Sequence, residues 1–117
     1  MNKPYRVPVT TEDRLRTELA LSLVATSTGV PIVKIRSQER LSGPEGRARR
    51  LAIYLAYVTF GWNMERVGHA FGLNRTTAAK ACRWVEDARD SKPLDELLDR
   101  LEDCAKQVLA ITRGLPA

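Results

Sequence analysis

Apolar residues recur along this chain at intervals of three and four, and no segment alternates convincingly at period two. That is the signature of helices with one buried face, so the chain is expected to be all-α, with no sheet. Thr10 or Thr11 caps a first helix over about Glu12–Thr28. Its face is traced by Leu15, Leu19, Leu23 and Thr26 and widened by Ala20, Leu21 and Val24, and it ends at Gly29. Pro31 opens a short helix anchored by Ile32, Val33 and Ile35. A loop is expected at about Gln38–Gly46, marked by Ser42-Gly43-Pro44. The next helix, about Glu45–Phe60, buries Ala48, Leu51, Ala52, Leu55 and Val58 and closes at Gly61.

The stretch Trp62–Arg89 reads as two helices joined by a tight turn. Asn63 is a good N-cap, and Trp62 before it can pack on Val67 as a hydrophobic staple, so a short helix starts at Met64. Gly72 stands where a residue of positive φ is wanted, and a second helix begins at Asn74 or Arg75. Its buried stripe is Ala78, Ala81, Cys82, Val85 and Ala88. The opposite face carries Thr76, Ala79, Lys80 and Arg83, with Arg75 at the start. Small residues at Gly68, Ala78 and Ala81 allow the two helices to cross closely, as in a helix-turn-helix whose second helix enters the DNA major groove. The charge order of that second helix adds to the reading. Its cations come early and its acids, Glu86, Asp87 and Asp90, come late, which opposes the helix dipole and suits phosphates and base edges instead.

Ser91-Lys92-Pro93 interrupts the chain before a last helix to about Thr112. Leu94, Leu97, Leu98, Leu101, Cys104, Ala105, Val108 and Ile111 form its apolar side. Two readings stand side by side: the stripe closes the core, or it is a partner or dimer surface edged by acids. The domain plan is then an irregular arm over 1–10, a helix-turn-helix domain over 11–91 and an amphipathic helix over 92–117.

The distribution of charge says more than the net +5. Between Pro31 and Trp84 there are ten Lys/Arg against three Asp/Glu; from Val85 onward there are five against eight. A basic centre is the footprint of a nucleic-acid binder. No apolar run reaches the roughly 18 residues of a membrane span, and the start of the chain lacks the apolar core of a signal peptide, so a cytoplasmic, nucleoid-associated location and no membrane partner are expected. Cys82 and Cys104 have no metal-ligand neighbours and fall on apolar faces, which reads as two reduced core thiols. Neither a cofactor motif nor a metal motif is present. His69 stands alone, with no nucleophile at motif spacing, so no enzyme is expected.

The run Arg49–Asp90 resembles the C-terminal DNA-binding domain of the bacterial chromosomal replication initiator, DnaA. The family's Ala-x-x-Leu helix opening on Arg has its counterpart in Arg49 and Ala52–Leu55. Its Ile-Gly-x-x-Phe-Gly appears as Val67-Gly68-His69-Ala70-Phe71-Gly72. Its Thr-Thr and His-Ala-Cys-x-x-Ile appear as Thr76-Thr77 and Lys80-Ala81-Cys82 with Val85. The resemblance implies a compact helical domain with a helix-turn-helix like that of DnaA and the Trp repressor. It implies base contacts from Arg75, Thr76 and Lys80, a minor-groove contact from Arg49, and phosphate contacts from Arg36, Arg40, Arg47 and Thr77. Arg50 and Arg83, by position, join the backbone contacts. The family's Gly-Arg-Asp-His is here Leu73-Asn74-Arg75, one residue shorter, so the likeness extends to the domain and not to the initiator's target sequence. The nucleotide-binding Gly-x-x-x-x-Gly-Lys-Ser/Thr is missing, which excludes the initiator itself. Similar stand-alone modules are found in small activators of gene-transfer-agent and phage-like gene clusters.

The expected function is sequence-specific binding to double-stranded DNA for transcriptional control, more as activator than repressor, together with a second transcription protein or an RNA polymerase component. Leu94, Leu97, Leu98, Leu101 and Val108 would form the partner surface, and a homodimer is a further option. The competing expectation is a protein-interaction module or inhibitor that acts through the leucine-rich last helix without specific DNA binding.

Overall fold

The computed structural model describes residues 9–37 and 42–114, with side chains described as far as residue 111. Among them the chain forms six helices and no strand: α1 (Thr11–Thr28), α2 (Ile32–Arg36), α3 (Gly43–Phe60), α4 (Met64–Ala70), α5 (Arg75–Ala88) and α6 (Lys92–Gly114). The architecture is all-α, as the periodicity predicts. Helix α3 starts earlier than expected because Ser42 takes the N-cap position and Pro44 falls in the first turn, where its missing N–H is no loss.

Helix α3 is the axis of the domain, packing against each of the other five helices. Its residues from Leu51 to Ala56 are all buried, where the sequence pattern predicts only one face. A helix enclosed on all sides needs apolar or small residues all round, and Leu-Ala-Ile-Tyr-Leu-Ala supplies them. Helix α2 is held by Ile35, which is fully buried, while Val33, expected as an anchor, is 69% exposed.

The buried face of α1 is turned from the one its leucines suggest. Leu15 is 66% exposed, whereas Asp13 and Thr17 are buried beside Ala20, Leu21 and Val24. The cause lies on α4. Arg66 grips the Asp13 carboxylate with two hydrogen bonds, from Nε at 3.0 Å and from a terminal nitrogen at 2.6 Å, and this fork draws the start of α1 inward. Arg66 also lies 4.9 Å from the centre of the buried Trp62 ring.

The hydrogen bonds from Arg66 hold the Asp13 carboxyl below its ordinary pKa, against the opposing effect of burial. The stability this pair contributes is therefore complete above the unfolded-state pKa near 4 and is lost as pH falls through the lower folded-state value. Asp13→Asn is expected to cost about 1.5–3 kcal/mol at neutral pH and to flatten acid unfolding below about pH 4, measured by urea denaturation as a function of pH. An unchanged acid profile would show that the pair contributes nothing.

The last helix corrects one expectation. Leu98 is 0% and Leu101 7% exposed, and Ala105 is fully buried, so the centre of the predicted partner surface is core. Leu94 and Leu97 are half-buried against that core, and Val108 is 37% exposed. The reason is that α6 folds back onto α1 and α3 instead of standing away from them. Cys104, expected in the core, is exposed; Cys82 is buried, and burial, with Glu86 adding to it, pushes its thiol up to about 11.

Candidate nucleic-acid interface

Two asparagine caps define the helix-turn-helix. Asn63 Oδ1 accepts from the Arg66 backbone N–H at 2.9 Å and starts α4; Asn74 Oδ1 accepts from that of Thr77 at 2.7 Å and starts α5. The turn between them is closed by the Leu73 N–H donating to the Gly68 carbonyl at 2.7 Å, with Gly72 at φ 72°. Gly68 is the point of closest approach. A Cβ there would sit 2.9 Å from the Leu73 carbonyl oxygen and 3.1 Å from that of Asn74, so the turn folds over a position that has room for hydrogen alone.

Helix α5 divides cleanly into two faces. Ala78, Ala81, Cys82 and Val85 are buried against α3 and α4, with Ala88 half-buried. Arg75, Thr76, Thr77, Lys80 and Arg83 are exposed. Thr76, Lys80 and Arg83 follow one another at steps of four and three, so they form one stripe along the helix. No ion pair to Arg75, Lys80 or Arg83 is present among the described residues. Their charge faces solvent, and no acid stands in the first turn of α5.

The arginines around this stripe do different things. Arg47 is exposed. Arg50 lies over the half-buried Trp84 ring at 4.7 Å, which fixes its direction along α5. Arg36 pairs with Glu18 at 2.6 Å. Arg40 lies outside the described residues. Arg49, expected to reach into a minor groove, is turned inward. One terminal nitrogen donates to the carbonyls of Ile35 at 2.9 Å and Ser37 at 2.6 Å, and the other donates to that of Phe71 at 3.2 Å. It thus ties the end of α2 to the end of α4, and burial pushes its pKa below the ordinary arginine value.

A second arginine escaped notice in the sequence. Arg89, the C-cap residue of α5, donates to Asp95 at 2.6 Å, Asp99 at 2.7 Å, Glu102 at 2.6 Å and the Tyr54 hydroxyl at 3.1 Å. Burial disfavours the charge, but the bonds to Asp95, Glu102 and Tyr54 outweigh it and raise the pKa. The available signal was the spacing of Asp95, Asp99 and Glu102, which places three acids on one face of α6 just past a cation. Those acids therefore serve the fold, and they do not rim a leucine surface for a basic partner.

Five helices packed about α3, with the turn between α4 and α5 folded over Gly68, define a helix-turn-helix domain. The chain is similar in structure to a DNA replication initiation factor solved by crystallography, with a TM-score of 0.71 and 26% sequence identity over 82% of this chain and 30% of that one. The fold is accordingly that of the DnaA domain. The chain spans less than a third of the initiator's length. No protein-family model matches the chain, and no curated protein matches it. Among the described residues no helix is long and apolar enough to cross a membrane, and no cluster of His, Cys, Asp and Glu could hold a metal ion.

Proposed function

We propose that this protein binds duplex DNA sequence-specifically through α5 and regulates transcription, acting as an activator alongside a second protein of the transcription machinery. The observation that carries the reading is the exposed stripe of Thr76, Lys80 and Arg83, with Arg75 at its head, on a helix whose other face is locked to α3 and α4. A rigid helix that presents hydroxyls and cations at its N-terminal half fits the major groove, where an arginine can hold a guanine edge in two hydrogen bonds. The likeness to a replication initiation factor supports the same reading.

The test is selection of bound duplexes from a random pool, followed by affinity on the selected site and on scrambled DNA. Arg75→Ala is expected to lose about 1–3 kcal/mol on the selected site and to relax one position. An equal loss on both duplexes would make Arg75 a phosphate contact, and no selection at all would overturn the function.

The two arginines flanking Ala48 are expected to behave differently. Arg47, exposed near the start of α3, keeps the phosphate contact expected of it. Arg47→Ala is expected to lower the slope of log affinity against log salt by about one unit while leaving the fold intact. Arg49→Ala is expected to lower the unfolding midpoint, because three part-buried carbonyls lose a donor. An unchanged midpoint for Arg49→Ala would show that its bonds to these carbonyls do not hold the fold.

A further inference from the structure

A cleft of about 370 Å³ opens between α1, α2, α3 and the turn of the helix-turn-helix. The basic side chains of Arg14, Arg36 and Arg49 and the single acid Glu18 line it, over an apolar floor that includes Leu21 and Phe71. A guanidinium carries five N–H donors. Arg49 places three of them on backbone carbonyls, and among the described residues the remaining two have no acceptor. Carbonyls are dipoles and do not neutralise the charge they receive. Among the described residues no carboxylate pairs with Arg49, so its half-buried charge is met there only by carbonyl dipoles, and an anion in the cleft would relieve the cost of its burial. The three carbonyls also fix the orientation of the guanidinium, so no ordering is needed when a ligand arrives. Arg14, also on the lining, is exposed, with no ion pair among the described residues. Arg36 shares its charge with Glu18.

The geometry points to a phosphate site: the cleft takes a phosphate group, held by the free N–H donors of Arg49 and flanked by Arg14 and Arg36. The phosphate has two chemical sources. It can belong to the DNA backbone, in which case the site extends the proposed function, or to a free phosphorylated molecule, in which case it stands without that reading. Its position favours consequence in either case, because Arg49 also bonds the Phe71 carbonyl at the turn that leads into α5. An anion on Arg49 acts directly on the residue that sets how the recognition helix is presented.

The experiment is a titration of the full chain with inorganic phosphate and with pyrophosphate, at ionic strength held constant with chloride. It follows the backbone amides of Phe71 and Gly72 and the Arg49 Nε–H by NMR. Saturable shifts at these three groups are expected. Arg14→Gln combined with Arg36→Gln is expected to weaken them about tenfold, the effect of losing charge-assisted contacts. Arg14→Glu, a change at an exposed position, provides a second variant should the double one not fold, and is expected to weaken them at least as much. Shifts that chloride alone reproduces, or that both anions give equally in wild type and variants, would overturn the site. A final arm adds duplex DNA to the phosphate-loaded protein. Displacement of phosphate identifies the DNA backbone as the occupant, and retention identifies a free phosphorylated ligand. A protein that fails to bind any duplex but still saturates with phosphate would refute the DNA reading and leave this site standing.

Discussion

A chain ended at Lys92 is expected to lose its cooperative fold. Leu98, Leu101 and Ala105 would go, and with them side chains that are 0%, 7% and 0% exposed in the intact domain. Burial of each leucine contributes about 1.5–3 kcal/mol. Arg89 would lose Asp95, Asp99 and Glu102 at once and keep only Tyr54. The two leucines alone approach the lower end of the roughly 5–15 kcal/mol that holds a small domain folded, and the surfaces of α1 and α3 that α6 covers would be exposed as well. Circular dichroism with urea unfolding measures the outcome. A truncated chain with the midpoint of the full one would show that α6 is an appendage and would restore its leucines as a docking surface. Leu98→Ala provides a graded version and is expected to cost about 2–5 kcal/mol.

Gly68→Val is expected to separate folding of the domain from function of its recognition helix. The added Cβ meets two backbone oxygens of the turn, at Leu73 and Asn74, and not the far end of a flexible side chain that could swing away. The turn itself must shift. Overpacking of this kind costs about 1–3 kcal/mol for a small addition, and the branched valine belongs at the upper end. The shift falls just where Asn74 caps α5, so Arg75 and Thr76 move with it. Duplex affinity is expected to fall more than the stability loss alone explains, when binding is compared with a variant of equal stability such as one in α6. Unaltered affinity in a folded Gly68→Val protein would mean that the crossing of α4 and α5 is not critical for the site.

How much of this was legible in the residues follows from the range of the interactions. Caps are local: the sequence marks Asn63 outright and narrows the first cap to Thr10 or Thr11, while Asn74, read as a possible first residue of α5, proves to be its cap. Thr10, Asn63 and Asn74 each accept from an N–H three residues on. The buried stripe of α5 was likewise readable, since its two faces differ sharply in polarity. What failed depends on partners far along the chain. Leu15 reads as core until Arg66, 53 residues beyond Asp13, turns α1 about its axis. Arg49 reads as a groove contact because its three carbonyl partners belong to other segments and carry no residue-type signal at all. The acids of α6 read as a docking rim until Arg89 is seen among them. In each case a charged side chain that looked like surface chemistry was part of the frame. The candidate interface was therefore legible on α5 itself and misread on the elements that flank it.

The arrangement around Arg89 has a consequence for how the protein responds to electrolyte. Its guanidinium is 18% exposed and in direct contact with three carboxylates, at separations far shorter than the roughly 10 Å Debye length of 0.1 M salt. The cations of the α5 stripe are bare and face solvent. Raising the salt concentration thus screens the long-range attraction to phosphate while leaving the junction of α5 and α6 almost untouched. The protein should come off its DNA in concentrated salt as an intact, folded molecule, ready to rebind on dilution with no refolding step in between.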